Sequence, residues 1–218
     1  ELKGKGELIP NQDILLQAIT LQEARSSSEI ESIYTTDDKL FGNPDTVDPY
    51  AKEVKQYQAA LKYGYDDVKR RGVMTTGLFQ ELVEIITGDH IGVRSDGIDV
   101  KIGNEAAGTV YTPPTGESTI YEKLLNLQDF INCENGSLDQ IPPLIKMAII
   151  HYQFEAIHPF RDGNGRTGRI INILYLIQGG LLERPILYLS RYINENKADY
   201  YTALQKVTED GDWESWII

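Results

Sequence analysis

The chain has 218 residues, 41% apolar and 25% charged, which is ordinary usage for a folded domain and excludes wholesale disorder. Its charge is strongly acidic, −12 from 21 basic and 33 acidic side chains, so phosphate backbones are repelled and nonspecific nucleic-acid binding by this segment is disfavoured. The sequence has no apolar run of membrane-spanning length and no signal-peptide pattern at its start, and its lone cysteine, Cys133, can form no internal disulfide. These features predict a cytoplasmic protein without membrane contact, with Cys133 a buried small hydrophobe. The lack of an initiator Met and the apolar ending Trp213–Ile218 predict a chain that continues natively beyond both ends.

Helical periodicity dominates. Residues 12–34 place Ile14, Leu15, Ala18, Ile19, Leu21 and Ala24 at three- and four-residue spacings, predicting a helix with one apolar buried face. A turn follows at Gly42-Asn43-Pro44-Asp45. Residues 49–70 read as a second helix, with Pro49 suited to its first turn and Val54, Tyr57, Leu61 and Tyr65 as its stripe. Leu78, Phe79, Leu82, Val83 and Ile86 mark a third, ended by Gly88. Residues 91–111 break the pattern, and the pieces 98–102 and 108–111 predict a β-hairpin set into the helices. Pro113-Pro114 bars continuation of its second strand. Helices are predicted again over 119–132, 142–157 and 166–178, the last rich in Ile and stopped by Gly179-Gly180, and from about Asn194 through Val207. The fold class is thus all-α with an inserted hairpin. Residues 1–48 form an N-terminal helical segment and 49–218 a compact core.

The densest polar stretch separates two of the most apolar helices: His158-Pro159-Phe160-Arg161-Asp162-Gly163-Asn164-Gly165-Arg166-Thr167-Gly168-Arg169. Pro159 ends the incoming helix at His158. Gly163 and Gly165 can take positive φ and Asn164 tolerates it, so successive main-chain N–H groups can line one concavity. The dipole of the next helix starts at the same place and favours an anion there. Arg166 and Arg169, spaced i, i+3, sit on one face at that positive end and make sense around a polyanion such as a nucleoside triphosphate. Asp162 is the lone carboxylate that Mg²⁺ needs beside phosphates, and His158 can act as a general base. An EF-hand is excluded because the position that needs Glu is Ile173, and a P-loop because no Gly-Lys-Ser/Thr follows.

These twelve residues resemble the Fic-domain signature His-x-Phe-x-Asp/Glu-Gly-Asn-Gly-Arg-x-x-Arg without departure. The resemblance implies a Fic helical bundle that moves AMP from ATP to a Tyr, Thr or Ser hydroxyl of a target protein. Carried across, His158 would be the base and Asp162 would hold Mg²⁺. Gly163, Asn164 and Gly165 would cradle phosphates, with Thr167 and Gly168 in the same nucleotide-binding stretch. Arg166 would bind the β-phosphate region, Arg169 the γ-phosphate, and Phe160 would anchor the loop in the core. Relatives that phosphorylate carry Lys where this chain has Gly165, which favours adenylylation. Residues 91–111 stand where the family has a flap that pairs with the target, and Tyr200 and Tyr201 where it borders adenine. Some tyrosines are candidates for self-modification.

Residues 23–33 resemble the inhibitory motif Ser/Thr-x-x-x-Glu-Gly/Asn of relatives with an N-terminal inhibitory helix, with Ser27 and Glu31 at the matching spacing and Ser32 in place of Gly or Asn. The resemblance implies that Ser27 and Glu31 share a helix face and that Glu31 pairs with Arg169, which then cannot take the γ-phosphate. Two other functions fit the same residues. The pocket could run in reverse and remove AMP, or the domain could sense nucleotide for a DNA-binding segment beyond Ile218.

Overall fold

The computed structural model describes residues 12–41, 48–95, 102–104, 108–133 and 141–218. Helix α1 (Gln12–Ile30) and the short α2 (Asp37–Phe41) lead into α3 (Pro49–Arg71). Asp48 caps α3 by accepting the Ala51 N–H, Pro49 fills its first turn, and Gly72 ends it in the left-handed region. Helix α4 (Thr76–Thr87) opens on a Thr75 side-chain cap and closes at left-handed Gly88. Two short strands, β1 (Ile102–Asn104) and β2 (Gly108–Tyr111), pair antiparallel with one irregularity between Ile102 and Gly103. Residues 98–101 of the expected first strand lie outside the described residues.

Helices α5 (Glu117–Asn132), α6 (Pro143–Ile157) and α7 (Asn164–Gln178) follow, then α8 (Leu189–Glu195), α9 (Lys197–Asp210) and α10 (Trp213–Ile217). Helix α7 is the axis of the molecule. All its residues from Asn164 to Ile177 except Gly165 are buried, and α1, α3, α4 and α6 pack around it. From Ile170 to Ile177 only Asn172 interrupts an apolar run, as a helix buried on every side requires. The expected stripes of α3, α4 and α7 all enter the core, with Tyr65 only partly buried at its edge. Among the described residues no helix is long and apolar enough to cross a membrane.

Three expectations need correction. The helix expected from Asn194 is two helices: α8 already contains Asn194, and the chain breaks at Asn196 before α9. Cys133 is half-buried and caps the end of α5. The apolar face expected for α1 is buried only in part, with Ala24 in the core and Leu21 packed at its edge. Ile14 is 65% exposed and Ala18 is exposed, whereas Glu23, Ser26, Ser27 and Ser28 are buried beside Ala24 and Ile30. This face packs on polar groups, so polar residues with partners are what it must present. The Ser28 hydroxyl donates to Ala24 O, and Ser26 pairs with the Tyr188 hydroxyl at 2.8 Å.

Candidate active site

Helix α6 ends at Ile157, and His158 turns into the left-handed region at φ 46, ψ 60, donating its N–H to Phe154 O. A non-glycine residue there costs about 1–2 kcal/mol, so the surroundings must hold it. Phe160 is fully buried against Phe154 and pins the loop from below. Asn164 braces the turn: its Oδ1 accepts the Phe160 N–H at 2.9 Å and its Nδ2 donates to Phe160 O at 2.8 Å.

The loop's backbone differs from the expected run of positive φ angles. Of Gly163, Asn164 and Gly165 only Gly163 is left-handed, at φ 79, and a Cβ there would strike Val83. Asn164 and Gly165 instead form the first turn of α7, which starts two residues earlier than its periodicity suggested. The reason is the side-chain brace of Asn164, which needs helical geometry to reach back to Phe160. The groups available to an anion here are therefore the free N–H groups of a helix N-terminus.

Both arginines are buried and both meet carboxylates. Arg166, 2% exposed, donates to Glu53 Oε2 at 2.7 Å and lies 3.6 Å from Asp162 Oδ1. Its Nε is buried without a hydrogen-bond partner. The Asp162 carboxylate is 71% exposed, and its Oδ1 accepts the Gly163 N–H. Arg169, 1% exposed, donates from Nε to Ser27 Oγ at 2.8 Å, and from one terminal nitrogen to Ser27 O at 3.0 Å and to Glu31 Oε1 at 2.7 Å. The Glu31 carboxylate stands over Gly165, where a Cβ would collide with it. Gly165 thus makes room for this carboxylate.

Ser27 and Glu31 both bond Arg169, but only Ser27 does so from within the helix. Helix α1 ends at Ile30, and Glu31 is the C-cap of a Schellman motif: the Ser32 N–H donates to Glu29 O and the Ile33 N–H to Ser28 O. Ser32 occupies the left-handed position of that motif at φ 64. Glycine or asparagine is favoured at such a position, which is the physical reason for the Gly/Asn that Ser32 replaces. Burial pushes the Glu31 carboxyl up, but the charge and hydrogen bond of Arg169, with Arg166 and Lys197 farther off, hold it below its ordinary value.

Burial, reinforced by the Arg94 charge, lowers the His158 imidazole to about 4, so the ring is neutral at physiological pH. The Glu155 carbonyl approaches the ring and offsets part of this, yet Nδ1 makes no hydrogen bond of ordinary geometry.

Thr167 is fully buried behind the loop, and Gly168 faces His151 and Glu155. Tyr200 is half-buried, its hydroxyl 2.8 Å from His151 Nε2, and Tyr201, 42% exposed, packs edge-on against it.

Sequence reasoning missed several groups here. Glu23, fully buried, accepts from Ser190 N, Ser190 Oγ and the Tyr57 hydroxyl and so ties α1 to α8 and α3. Burial raises the Glu155 carboxyl to about 7, against the pull of Arg169 and with the push of Glu31, and its Oε1 lacks a partner. Burial and the Arg169 charge lower His151 to about 3. Glu53 was invisible because its partner lies 113 residues away in sequence. Only Glu155, one turn before His158, carried a positional signal. A polar cleft of about 600 Å³ opens beside Asp162 and Arg166 between α3 and the 87–91 turn, with Lys52, Glu53, His90 and Arg161 on its walls. Among the described residues no three His, Cys, Asp or Glu side chains cluster as a metal site.

The chain is similar to known proteins both in sequence and in fold. Residues 73–176 match the Fic/DOC family model and residues 1–66 the Fic/DOC family N-terminal model. The chain is 31% identical over 131 residues to protein adenylyltransferase fic-1 of Caenorhabditis elegans, covering 59% of this chain and 24% of that protein. It is 26% identical over 200 residues to protein adenylyltransferase Fic of Culex quinquefasciatus, covering 90% of this chain and 36% of that one. The chain therefore spans about a quarter to a third of the length of these relatives. In fold it is similar to a Fic family protein from Desulfovibrio desulfuricans, with TM-score 0.75 at 22% identity over 98% of this chain and 63% of that one. Fic-1 of C. elegans (residues 134–508) gives TM-score 0.72 at 22% identity over 99% and 63%. The signature loop, the helical architecture and both family matches place the chain in one group: it belongs to the Fic/DOC family.

Proposed function

We propose that the chain transfers AMP from ATP to a hydroxyl side chain of a protein and is restrained by its own Glu31. The observation that carries this reading is Arg169, buried at the anion-binding start of α7 and occupied by Ser27 and Glu31. A guanidinium so placed fits a terminal phosphate, and a carboxylate on it is a competitor for that phosphate. The relatives named protein adenylyltransferases support the same chemistry.

In the reaction, the target oxygen attacks the α-phosphorus, the bond to the β-phosphate oxygen breaks, and pyrophosphate leaves. His158, neutral above about pH 4, takes the hydroxyl proton. Its Nδ1 is buried, which leaves Nε2 to meet the target. The first N–H groups of α7, from Asn164 and Gly165, face the phosphates, with Gly163 forming the turn before them. Arg166 takes the β-phosphate region and Arg169 the γ-phosphate. Asp162 fits Mg²⁺: one exposed carboxylate beside a phosphate site is what an ion that keeps waters and substrate oxygens requires. When bound, the ion would neutralise phosphate charge.

The strands β1 and β2 form the flap that a target joins as an added strand, and Tyr111, whose hydroxyl donates to Ala156 O, ties its base to α6. Tyr200 and Tyr201 border the adenine. Residues 1–48 act as the regulatory segment of the 49–218 core, the reaction is cytoplasmic, and hydroxyls of the chain itself are among its targets.

Mass spectrometry after incubation with ATP and Mg²⁺ tests the proposal. The chain freed of Glu31 should gain AMP, and His158→Ala in the same background should lose it while binding ATP nearly as before, since a positioned base contributes about 10²–10⁴ in rate. Equal labelling with and without His158 would remove the base from the mechanism. The Glu31 carboxylate over Gly165 also favours a second reading, in which it orders a water that removes AMP from modified protein. Release of AMP from pre-modified protein by wild type, and not by Glu31→Gly, would establish that direction.

A further inference from the structure

The carbonyls of Ile157, His158 and Pro159 emerge at the C-terminus of α6, where no helical N–H can reach them. They are gathered by one residue from a distant loop. Arg94, 1% exposed, donates its main-chain N–H to Pro159 O at 2.9 Å and its Nε to His158 O at 2.7 Å. Its terminal nitrogen donates to Ile157 O at 3.4 Å and to Pro114 O at 2.9 Å. Arg94 and Pro114 stand at the two ends of the segment that carries β1 and β2. The same guanidinium thus holds the catalytic loop and the base of the hairpin. His158 itself is left-handed, a conformation an L residue keeps only when its surroundings impose it.

We propose that Arg94 is a positioning residue: its guanidinium fixes the main chain of His158 and registers the hairpin base against it, so that a hydroxyl held by the hairpin meets the imidazole. The inference rests on the reading of His158 as the base. The position is chemically apt, because a cation at a helix C-terminus faces the negative end of the dipole and a planar fork can serve several carbonyls at once. Arg94 touches no reacting atom. Its effect on chemistry runs through the placement of His158.

The test uses the Glu31→Gly chain as parent, with Arg94→Met and Arg94→Lys added. Three quantities are measured: ATP affinity by calorimetry, the rate of self-labelling from α-labelled ATP at saturation, and the titration of the His158 imidazole by NMR. Arg94, Glu31 and Asp162 are the charged groups acting on that ring, and Glu31 is absent from all three proteins. The proposal expects ATP affinity within about threefold of the parent and labelling slowed by roughly 10²-fold in Arg94→Met, the effect of a small misplacement of a reacting group. Arg94→Lys keeps the charge without the fork and should fall between them. The imidazole should titrate higher in Arg94→Met, which loses the charge, than in Arg94→Lys, which keeps it, whereas generic loosening would relieve the burial of the ring and raise both alike.

Labelling at the parent rate with an unchanged titration would overturn the proposal. So would loss of ATP binding in both variants, which would make Arg94 a folding residue. If the parent itself does not label, the AMP-transfer reading fails, and the NMR comparison still decides whether Arg94 positions the ring.

Discussion

Replacing Glu31 by Gly removes one of three bonds that hold Arg169. The Ser27 hydroxyl and carbonyl remain, at 2.8 and 3.0 Å, so the loss is the ionic contact at 2.7 Å. A charge-assisted hydrogen bond contributes about 1.5–3 kcal/mol. The Glu31 side chain is 34% exposed, so screening puts this contact near the lower end, about 1.5–2 kcal/mol. That converts to a rise of roughly 10–30-fold in the population of Arg169 free to take a γ-phosphate. The Gly penalty of a helix interior does not apply, because Glu31 caps α1 and lies beyond its last helical residue, Ile30. The assay is self-labelling with α-labelled ATP under single-turnover conditions, comparing wild type, Glu31→Gly and Glu31→Ala. Both variants should gain by similar factors, and Arg169→Ala added to either should erase the gain. If neither variant labels faster than wild type, Arg169 is not the limiting partner and the contact with Glu31 has no regulatory weight.

Asp162→Ala should make ATP binding insensitive to Mg²⁺ in a calorimetric titration, whereas an unchanged metal dependence would move the ion to other ligands. The released chain should keep its transfer rate as pH falls from 7 to about 5 and lose it through about 4, because the His158 pKa is depressed to about 4 and its neutral form persists above that value. A midpoint near 6.5 in the pH–rate profile would mean the ring is solvated during turnover. Ser32→Gly should tighten the brake: it relieves a left-handed residue, worth about 1–2 kcal/mol, against about 0.5–1 kcal/mol of added chain entropy. Lower basal labelling with a higher melting temperature is the expected outcome, and faster labelling would show that the Ser32 side chain itself supports Glu31.

The loop 158–169 was legible because its chemistry is local. Pro159, Gly163, Asn164, Gly165, Arg166 and Arg169 constrain each other within twelve residues, and the apolar stripes of α3, α4 and α7 follow the helical period. The partners of those arginines were less accessible. Ser27 and Glu31 could be placed only through resemblance, and Glu53 not at all, since the tertiary fold alone brings α3 onto the start of α7. The left-handed turn expected at Asn164 and Gly165 failed for a related reason. Glycine permits positive φ but does not require it, and the side-chain brace from Asn164 to Phe160 selects the helix instead.

The misreading of α1 bears on how a brake can work. Apolar periodicity locates buried faces only where the surface beneath is apolar, and α1 lies over Arg169, Tyr57 and Ser190. Beside Ala24 and Ile30, its buried face therefore carries Glu23 and serines, each matched to a partner. A helix held by buried apolar area would lose about 25 cal/mol for every Å² exposed on lifting away. A helix held by hydrogen bonds exchanges them for bonds to water, and each costs only about 0.5–1.5 kcal/mol net. Polar attachment thus lets the Glu31 end shift by a modest free energy while α1 keeps its place through Glu23, eight residues earlier. The orphaned Glu155 fits this arrangement, since its carboxyl is pushed up in part by Glu31 and pulled down by Arg169. When Glu31 leaves, that push ends and Glu155 ionises more readily, so the buried guanidinium keeps a counter-charge behind it while its front is free for phosphate.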